Sequence, residues 1–231
     1  LSDSGAKLLI YQNSYQETIM ACSSEAKPKQ QWLFDTADGL IGFLKHVFDK
    51  FSSDSSVHNK ANKTWEIEMR AEFEDPCMII YTSGTTGAPK GALITHSMLF
   101  WNSVNTTLRL NLNQNDVTVG FLPFFHTGGW NVLLTPFFFF FAKTIFVKKF
   151  DPRQILKLSE KFRATILFGV PTTMDLMYHT PEFTSANLSS IRYAIVGGEP
   201  MSVDLIKAWQ NKGIPIRQGY GLTEFGPNVF S

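Results

Sequence analysis

Short apolar runs alternate along this chain with polar breaks marked by glycine or proline, and the spacing of the apolar positions separates strands from helices. Residues 8–11, 18–21 and 31–34 read as short strands. Over residues 38–51, Leu40, Ile41, Leu44, Val47, Phe48 and Phe51 recur at helical spacing and leave Lys45 and Asp49 to water, which predicts an amphipathic helix. Residues 52–63 are polar and aperiodic and are expected to form a surface loop. Residues 78–81 then look like a buried strand, and the apolar run after Lys90 predicts a second strand or a helix entry.

The later part of the chain is more regular. A helix is predicted to follow a cap near Thr95 or Ser97, with Met98, Leu99, Trp101, Val104 and Leu108 as its apolar positions. Strands are predicted over 117–122, 144–147, 165–168, 191–196 and 214–218. Asp151-Pro152-Arg153-Gln154 is a helix start: Asp is a capping residue, Pro suits the first helical position, and Gln stands three residues after the cap. Ile155, Leu156, Leu158 and Phe162 are expected to form that helix's buried face. Further helices are predicted after Pro171 and over 202–212, the second closed by Gly213. The five phenylalanines at 137–141 are read as a buried strand or helix segment, since exposed they would form a large sticky surface. Strands alternating with helices imply an α/β fold of open, mostly parallel sheets with flanking helices, in which ligands bind beyond the carboxyl ends of the strands.

Composition adds mainly exclusions. The 231 residues can bury a sizeable core, and a net charge of +1 offers no electrostatic reason for a nucleic-acid partner. Cys22 and Cys77 are the two cysteines, with no metal-type spacing around them, so the reducing cytoplasm is the expected compartment. The longest apolar stretch, 132–142, contains Pro136 and ends at Lys143, short of the ~20 residues of a transmembrane helix.

The chemistry lies where predicted strands end. Tyr81-Thr82-Ser83-Gly84-Thr85-Thr86-Gly87-Ala88-Pro89-Lys90-Gly91 combines glycines, hydroxyls and one ammonium, and such a loop can turn backbone N–H groups and side-chain donors toward a phosphate. It is not the nucleotide loop of kinases and GTPases, because Pro89 stands where that motif needs Gly and Gly91 where it needs Ser or Thr. Gln218-Gly219-Tyr220-Gly221-Leu222-Thr223-Glu224 places an aromatic ring, a hydroxyl and a carboxylate on one turn, suited to stack on a purine, bond a phosphate oxygen and hold magnesium. Glu224 occupies the last glycine position of a dinucleotide fingerprint and excludes that reading. Gly197-Gly198-Glu199-Pro200 lets backbone approach a ligand closely, and His126 sits among Phe124, Phe125 and Trp130. Each feature alone is compatible with an ordinary turn or a packed side chain.

Together and in this order, the segments resemble those of the AMP-forming, acyl-adenylating enzymes, most closely the fatty acyl-CoA synthetases, and the likeness extends from about Ser2 to the end of the chain. The resemblance implies a ligase that joins a carboxylic acid to ATP, releases pyrophosphate, and passes the acyl group from AMP to CoA. It implies that Thr82, Ser83, Gly84, Thr85, Thr86, Gly87 and Lys90 grip phosphates, and that Gly197, Gly198, Glu199 and Pro200 pass the adenine. Gln218, Gly219, Tyr220, Gly221 and Thr223 complete the nucleotide site, Thr82 and Glu224 face Mg2+, and Lys90, His126, Thr223 and Glu224 form the catalytic set.

Phe125, His126, Trp130, Gly169 and Val170 are then the acid pocket, and the aromatic segment points to a medium- or long-chain fatty acid. Aryl or amino acids remain alternatives, as does a truncated, non-catalytic nucleotide- or acyl-binding fragment. Residues 1–231 are expected to be part of the N-terminal adenylate-forming domain, with the small lid domain and its catalytic lysine beyond Ser231. The phenylalanine run departs from the family, whose members commonly have a polar or glycine-containing turn there.

Overall fold

The computed structural model describes residues 3–34, 71–83 and 87–230. The helix expected over 38–51, the loop over 52–63 and the motif residues Gly84, Thr85 and Thr86 lie outside them. The chain divides into two compact units, Leu1–Arg70 and Ala71–Ser231.

In the first unit, β1 (Leu8–Gln12) pairs in parallel with β2 (Gln30–Phe34), Leu8 standing opposite Gln30. Parallel neighbours need a crossover. Part of it is α1 (Gln16–Ala21), so residues 18–21 are helical and not the strand expected from their apolar character. A four-residue apolar run fits either period, and here the crossover decides it.

The second unit begins with a hairpin. β3 (Pro76–Thr82) and β4 (Lys90–Thr95) are antiparallel, with Thr82 opposite Lys90 and Tyr81 opposite Gly91. The apolar run after Lys90 is therefore a strand. α2 (His96–Leu110) follows directly, its cap Thr95 accepting a hydrogen bond from the Met98 N–H.

Beyond it lie β5 (Val117–Gly120), the short helices α3 (Thr127–Trp130) and α4 (Leu134–Phe139), and β6 (Lys143–Phe146), which pairs in parallel with β5. α5 (Pro152–Lys161) starts at Asp151, whose carboxylate accepts from the Arg153 and Gln154 N–H groups. Next come β7 (Ile166–Gly169), α6 (Pro171–Tyr178), α7 (Pro181–Ser185), β8 (Tyr193–Val196), α8 (Val203–Asn211) and β9 (Ile216–Gln218). β7, β8 and β9 form a parallel sheet in that order. β5 lies beside β7, where the Thr165 N–H donates to the Val117 carbonyl at 2.8 Å. A small antiparallel pair, β10 (Tyr220–Gly221) and β11 (Asn228–Phe230), ends the described chain.

Strand alternation sorts the core into two layers. Leu167, Ala194 and Val196 join the cluster containing Ile155, Leu156, Met174, Met177 and Trp209, from the helices on one face. Ile166, Tyr193 and Ile195 join Leu110, Val132, Leu133 and Phe137 on the other. This is the expected α/β architecture of open sheets with flanking helices, with antiparallel pairs added to the parallel ones. Among the described residues no helix is long and apolar enough to cross a membrane.

The amino ends of the central strands are tied by a buried carboxylate. Asp116, 2% exposed, accepts from Arg192 at 2.8 Å, from the Thr165 hydroxyl at 2.7 Å and from the Asn113 N–H at 2.9 Å. Beside it, the Tyr193 hydroxyl donates to the Leu110 carbonyl at 2.6 Å, and the Arg217 guanidinium lies 4.1 Å from the Tyr193 ring centre. Burial pushes the Tyr193 phenol above its ordinary pKa, against the opposing pull of Arg192 and Arg217.

Two apolar expectations fail. Phe162 is partly exposed and is not a full member of the α5 buried face. Of the phenylalanine run only Phe137 is fully buried, because a helix with Leu133 and Phe137 turned inward must turn Phe138 outward. Phe141 has a φ of 59° and is 88% exposed. A left-handed backbone costs a bulky L-residue about 1–2 kcal/mol, and a solvated ring recovers little of it. Phe141→Gly should therefore raise stability by about 0.5–1 kcal/mol after glycine's extra chain entropy is deducted. Urea unfolding would show this as a higher midpoint; a lower one would mean that the ring's contacts outweigh the strain.

Candidate active site

The carboxyl ends of β7, β8 and β9 open into a cleft of about 580 Å³. Four stretches of sequence meet there. The segment after β5 contributes Leu122, Pro123 and His126; β7 and its exit contribute Phe168 and Val170. β8 runs into Gly197, Gly198 and Glu199, and β9 into Gly219, Tyr220, Gly221 and Thr223. The lining is mixed in character. Leu122, Val132, Phe168 and Ile195 are its apolar side chains, whereas the turns after β8 and β9 bring backbone, a carboxylate, a phenol and a hydroxyl.

Local chemistry explains these positions. The Thr173 hydroxyl accepts from the Val170 N–H at 3.0 Å and donates to the Val170 carbonyl at 2.8 Å, fixing the exit from β7. Gly198 has a φ of 84°, which a glycine adopts without steric cost. Gln218 does not line the cleft. Its amide donates to the Val196 and Glu199 carbonyls, both at 3.1 Å, and its oxygen accepts from the Met201 N–H at 3.0 Å, so it braces the Gly197–Pro200 turn from behind. At Gly221 an added Cβ would stand 1.8 Å from the Pro227 carbonyl oxygen, so the close return of the chain requires glycine there.

The turn after β10 is held from below by a residue that sequence reasoning passed over. Asn131, fully buried, donates through its side-chain amide to the Gly226 carbonyl and accepts from the Thr135 hydroxyl. The Asn102 amide donates to the Asn131 carbonyl at 2.6 Å, and Asn228 donates to the Thr106 hydroxyl at 2.8 Å. A lone Asn between Trp130 and the apolar run that follows was the available cue, since a buried amide needs partners.

The remaining expected residues among those described are not in the lining of the cleft. Thr82 and Lys90 face each other at the loop end of the β3–β4 hairpin, the Thr82 hydroxyl 3.4 Å from the Lys90 carbonyl, with Ser83 and Gly87 exposed nearby. β4 runs close to the Thr223–Phe225 turn, which carries Glu224 on its exposed side. Phe125 is exposed with its ring 4.5 Å from that of His126. Trp130 is packed in the interior, Gly169 lies just behind Val170, and Pro200 follows the turn. Among the described residues no cluster of three or more His, Cys, Asp or Glu could cage a metal ion.

The glycines can be told apart by experiment. Gly221→Ala should destabilise the fold by about 1–3 kcal/mol because backbone must move to admit the methyl group. At Gly197 the nearest atoms to an added Cβ are 3.7 Å away, so Gly197→Ala should change stability by less than about 0.5 kcal/mol while narrowing the cleft. Equal losses in urea unfolding would show that both glycines serve packing alone.

Known proteins resemble this chain in sequence and in fold. A feruloyl-CoA synthase of Amycolatopsis sp is 31% identical over 229 residues, covering 99% of this chain and 42% of the relative. An indoleacetate–CoA ligase of Aromatoleum aromaticum is 38% identical over 154 residues, or 67% of this chain and 30% of the relative. The inhibitor-bound N-terminal domain of FACL13 from Mycobacterium tuberculosis superposes with a TM-score of 0.78 at 29% identity, covering 98% of this chain and 53% of that one. Apo MatB from Rhodopseudomonas palustris gives 0.75 at 27% identity, over 99% of this chain and 42% of that one. The chain thus spans about two fifths of the first of these relatives. The family profile described as AMP-binding enzyme matches residues 1–231, and with the shared fold this places the chain in the AMP-binding enzyme family.

Proposed function

We propose that the protein carrying this chain activates a carboxylic acid with ATP, forming an acyl-adenylate and pyrophosphate, and then transfers the acyl group to CoA with release of AMP. In this reading residues 1–231 belong to the N-terminal adenylate-forming domain of a longer enzyme. The observation that carries it is the mixed lining of the cleft: apolar side chains suited to the acid's body share it with glycine turns and polar groups suited to a nucleotide, and His126 belongs to the same lining.

The acid's carboxylate must reach the α-phosphorus while negative charge accumulates on the phosphates. Tyr220 offers a flat face to the purine, and the Gly197 and Gly198 backbone lets the ring approach. Thr223 can donate to the α-phosphate, and the Lys90 ammonium supplies positive charge to the outgoing pyrophosphate. His126 orients the attacking carboxylate. The residues present fit a magnesium ion that arrives with its nucleotide: one exposed carboxylate, Glu224, and the Thr82 hydroxyl are available, and Mg2+ commonly takes one or two protein ligands plus substrate phosphates. Bound there, the ion would neutralise phosphate charge.

The apolar part of the lining supports an acid with a hydrophobic body. Both the fatty acids expected from the aromatic segment and the aryl acids in the relatives' names meet that description.

Acid-dependent exchange of labelled pyrophosphate into ATP tests the proposal. Exchange should appear with a fatty or aryl acid and not without acid; ATP hydrolysis independent of any acid would replace the proposal with an ATPase. Glu224→Ala should lower exchange at least ~100-fold, with only partial rescue by added Mg2+. His126→Ala should lower use of the acid about 10–100-fold more than it weakens ATP binding; a selective loss of ATP affinity would move His126 to the nucleotide side.

A further inference from the structure

The segment carrying His126 and the turn carrying Thr223 and Glu224 are joined by one buried side chain. The Gly129 N–H donates to the His126 carbonyl at 2.9 Å, and the Asn131 N–H donates to the Thr127 carbonyl at 2.7 Å. These bonds hold residues 126–131 as one piece. An added Cβ at Gly129 would stand 2.1 Å from the Pro123 carbonyl oxygen, so that piece is also pressed against the chain leaving β5. From it the Asn131 side chain donates to the Gly226 carbonyl, and the Gly226 N–H donates to the Thr223 carbonyl at 3.2 Å.

The turn is anchored at that end. Gly226 and Pro227 are buried, whereas Glu224 and Phe225 are exposed. The Leu222 N–H donates to the Pro227 carbonyl at 2.9 Å and the Phe225 N–H to the Leu222 carbonyl at 3.1 Å, so bonds within the turn set its shape. The bond from Asn131 sets where that shape stands relative to His126. In the proposed reading the acid meets His126 and the nucleotide meets Tyr220 and Thr223, so each ligand can bind to its own segment. The chemical step needs both segments in register, and a misplacement of about 1 Å can cost about 100-fold in rate.

We infer that Asn131 is a positioning residue: it keeps the Thr223–Glu224 turn in register with the His126 segment, so that loss of its side chain slows adenylation while leaving the binding of each ligand nearly intact. The inference rests on the adenylation reading for the step that is slowed. The Thr135 hydroxyl, which donates to the Asn131 side-chain oxygen, supports the same function by orienting the amide.

The test uses the full-length protein. Binding of decanoate, of ferulate and of α,β-methylene-ATP with Mg2+ is measured by titration calorimetry, and adenylate formation by single-turnover rapid quench with ATP and each acid. Deuterium uptake over residues 222–227 reports the turn directly. Asn131→Ala should slow adenylate formation about 10–100-fold, change each dissociation constant less than about threefold, and speed uptake in the turn about tenfold or more. Thr135→Val leaves Asn131 in place and should slow the step about 3–10-fold, with Thr135→Ser restoring it. If Asn131→Ala fails to fold, the Thr135 pair makes the same comparison.

Losses of affinity as large as the loss of rate, or deuterium uptake in the turn unchanged by the variants, would overturn the inference. A turn loosened in the variants, with no adenylate formed by the wild-type protein from either acid, would count against adenylation and leave the hold of Asn131 on the turn standing. Adenylate formed at the wild-type rate by the variants would uphold adenylation and overturn the positioning function.

Discussion

The buried amide of Asn131 is the contact on which the geometry of the cleft depends. The turn over residues 222–227 is short, and the strands flanking it offer little pairing of their own, β10 being two residues long. Local propensity cannot hold such a segment in one place. Asn131 donates to the Gly226 carbonyl while Asn102 and Thr135 bond to Asn131, so the turn is joined to α2, α3 and α4 through one desolvated side chain. Leaving any member of such a network unpaired costs about 1–3 kcal/mol, which favours a single arrangement over several loose ones. Thr223 and Glu224 inherit their positions from a residue that does not line the cleft.

The two ends of the parallel strands divide the work. At the amino ends, Asp116 joins the entry to β5, the Thr165 hydroxyl ahead of β7 and Arg192 ahead of β8. Charge, hydroxyl and backbone are satisfied there by one another. At the carboxyl ends β7, β8 and β9 run into Val170, Gly197 and Gly219, which line a cavity. An open parallel sheet leaves this crevice beyond its strand ends as a consequence of topology. The polar network at one end makes strand position insensitive to what happens at the other. Gln218 repeats the logic on a smaller scale, since its amide is engaged by the Gly197–Pro200 turn and keeps that turn in place.

Much of this was legible in the sequence, and the limits have physical causes. The caps Thr95 and Asp151 were readable because they act on the next three residues of chain. The strand-end glycine segments were readable because an apolar β run followed by glycine has few structural meanings. Residues 18–21 were misread as strand because a short apolar run carries no decisive period. The phenylalanine run was misread because composition gives hydrophobicity but not direction: one helix turned Phe137 inward and left Phe138 in water. Asn131 and Gln218 were not assigned their places, since each acts through partners that lie well away in sequence.

The hairpin setting of the Tyr81–Gly91 segment bears on how it would hold a phosphate in the proposed function. A nucleotide loop of the kinase and GTPase type runs from a strand into a helix, whose amino terminus supplies aligned N–H groups and a favourable dipole. Here the loop joins two antiparallel strands held in register from Met78 opposite Ile94 to Thr82 opposite Lys90, and strands carry little net dipole. Positive potential for a phosphate must then come from local donors, the Lys90 ammonium foremost, and from groups brought up by other segments. β4 passes close to the Thr223–Phe225 turn, so the hairpin and the β9 segment are neighbours through the fold although well over one hundred residues separate them in the chain.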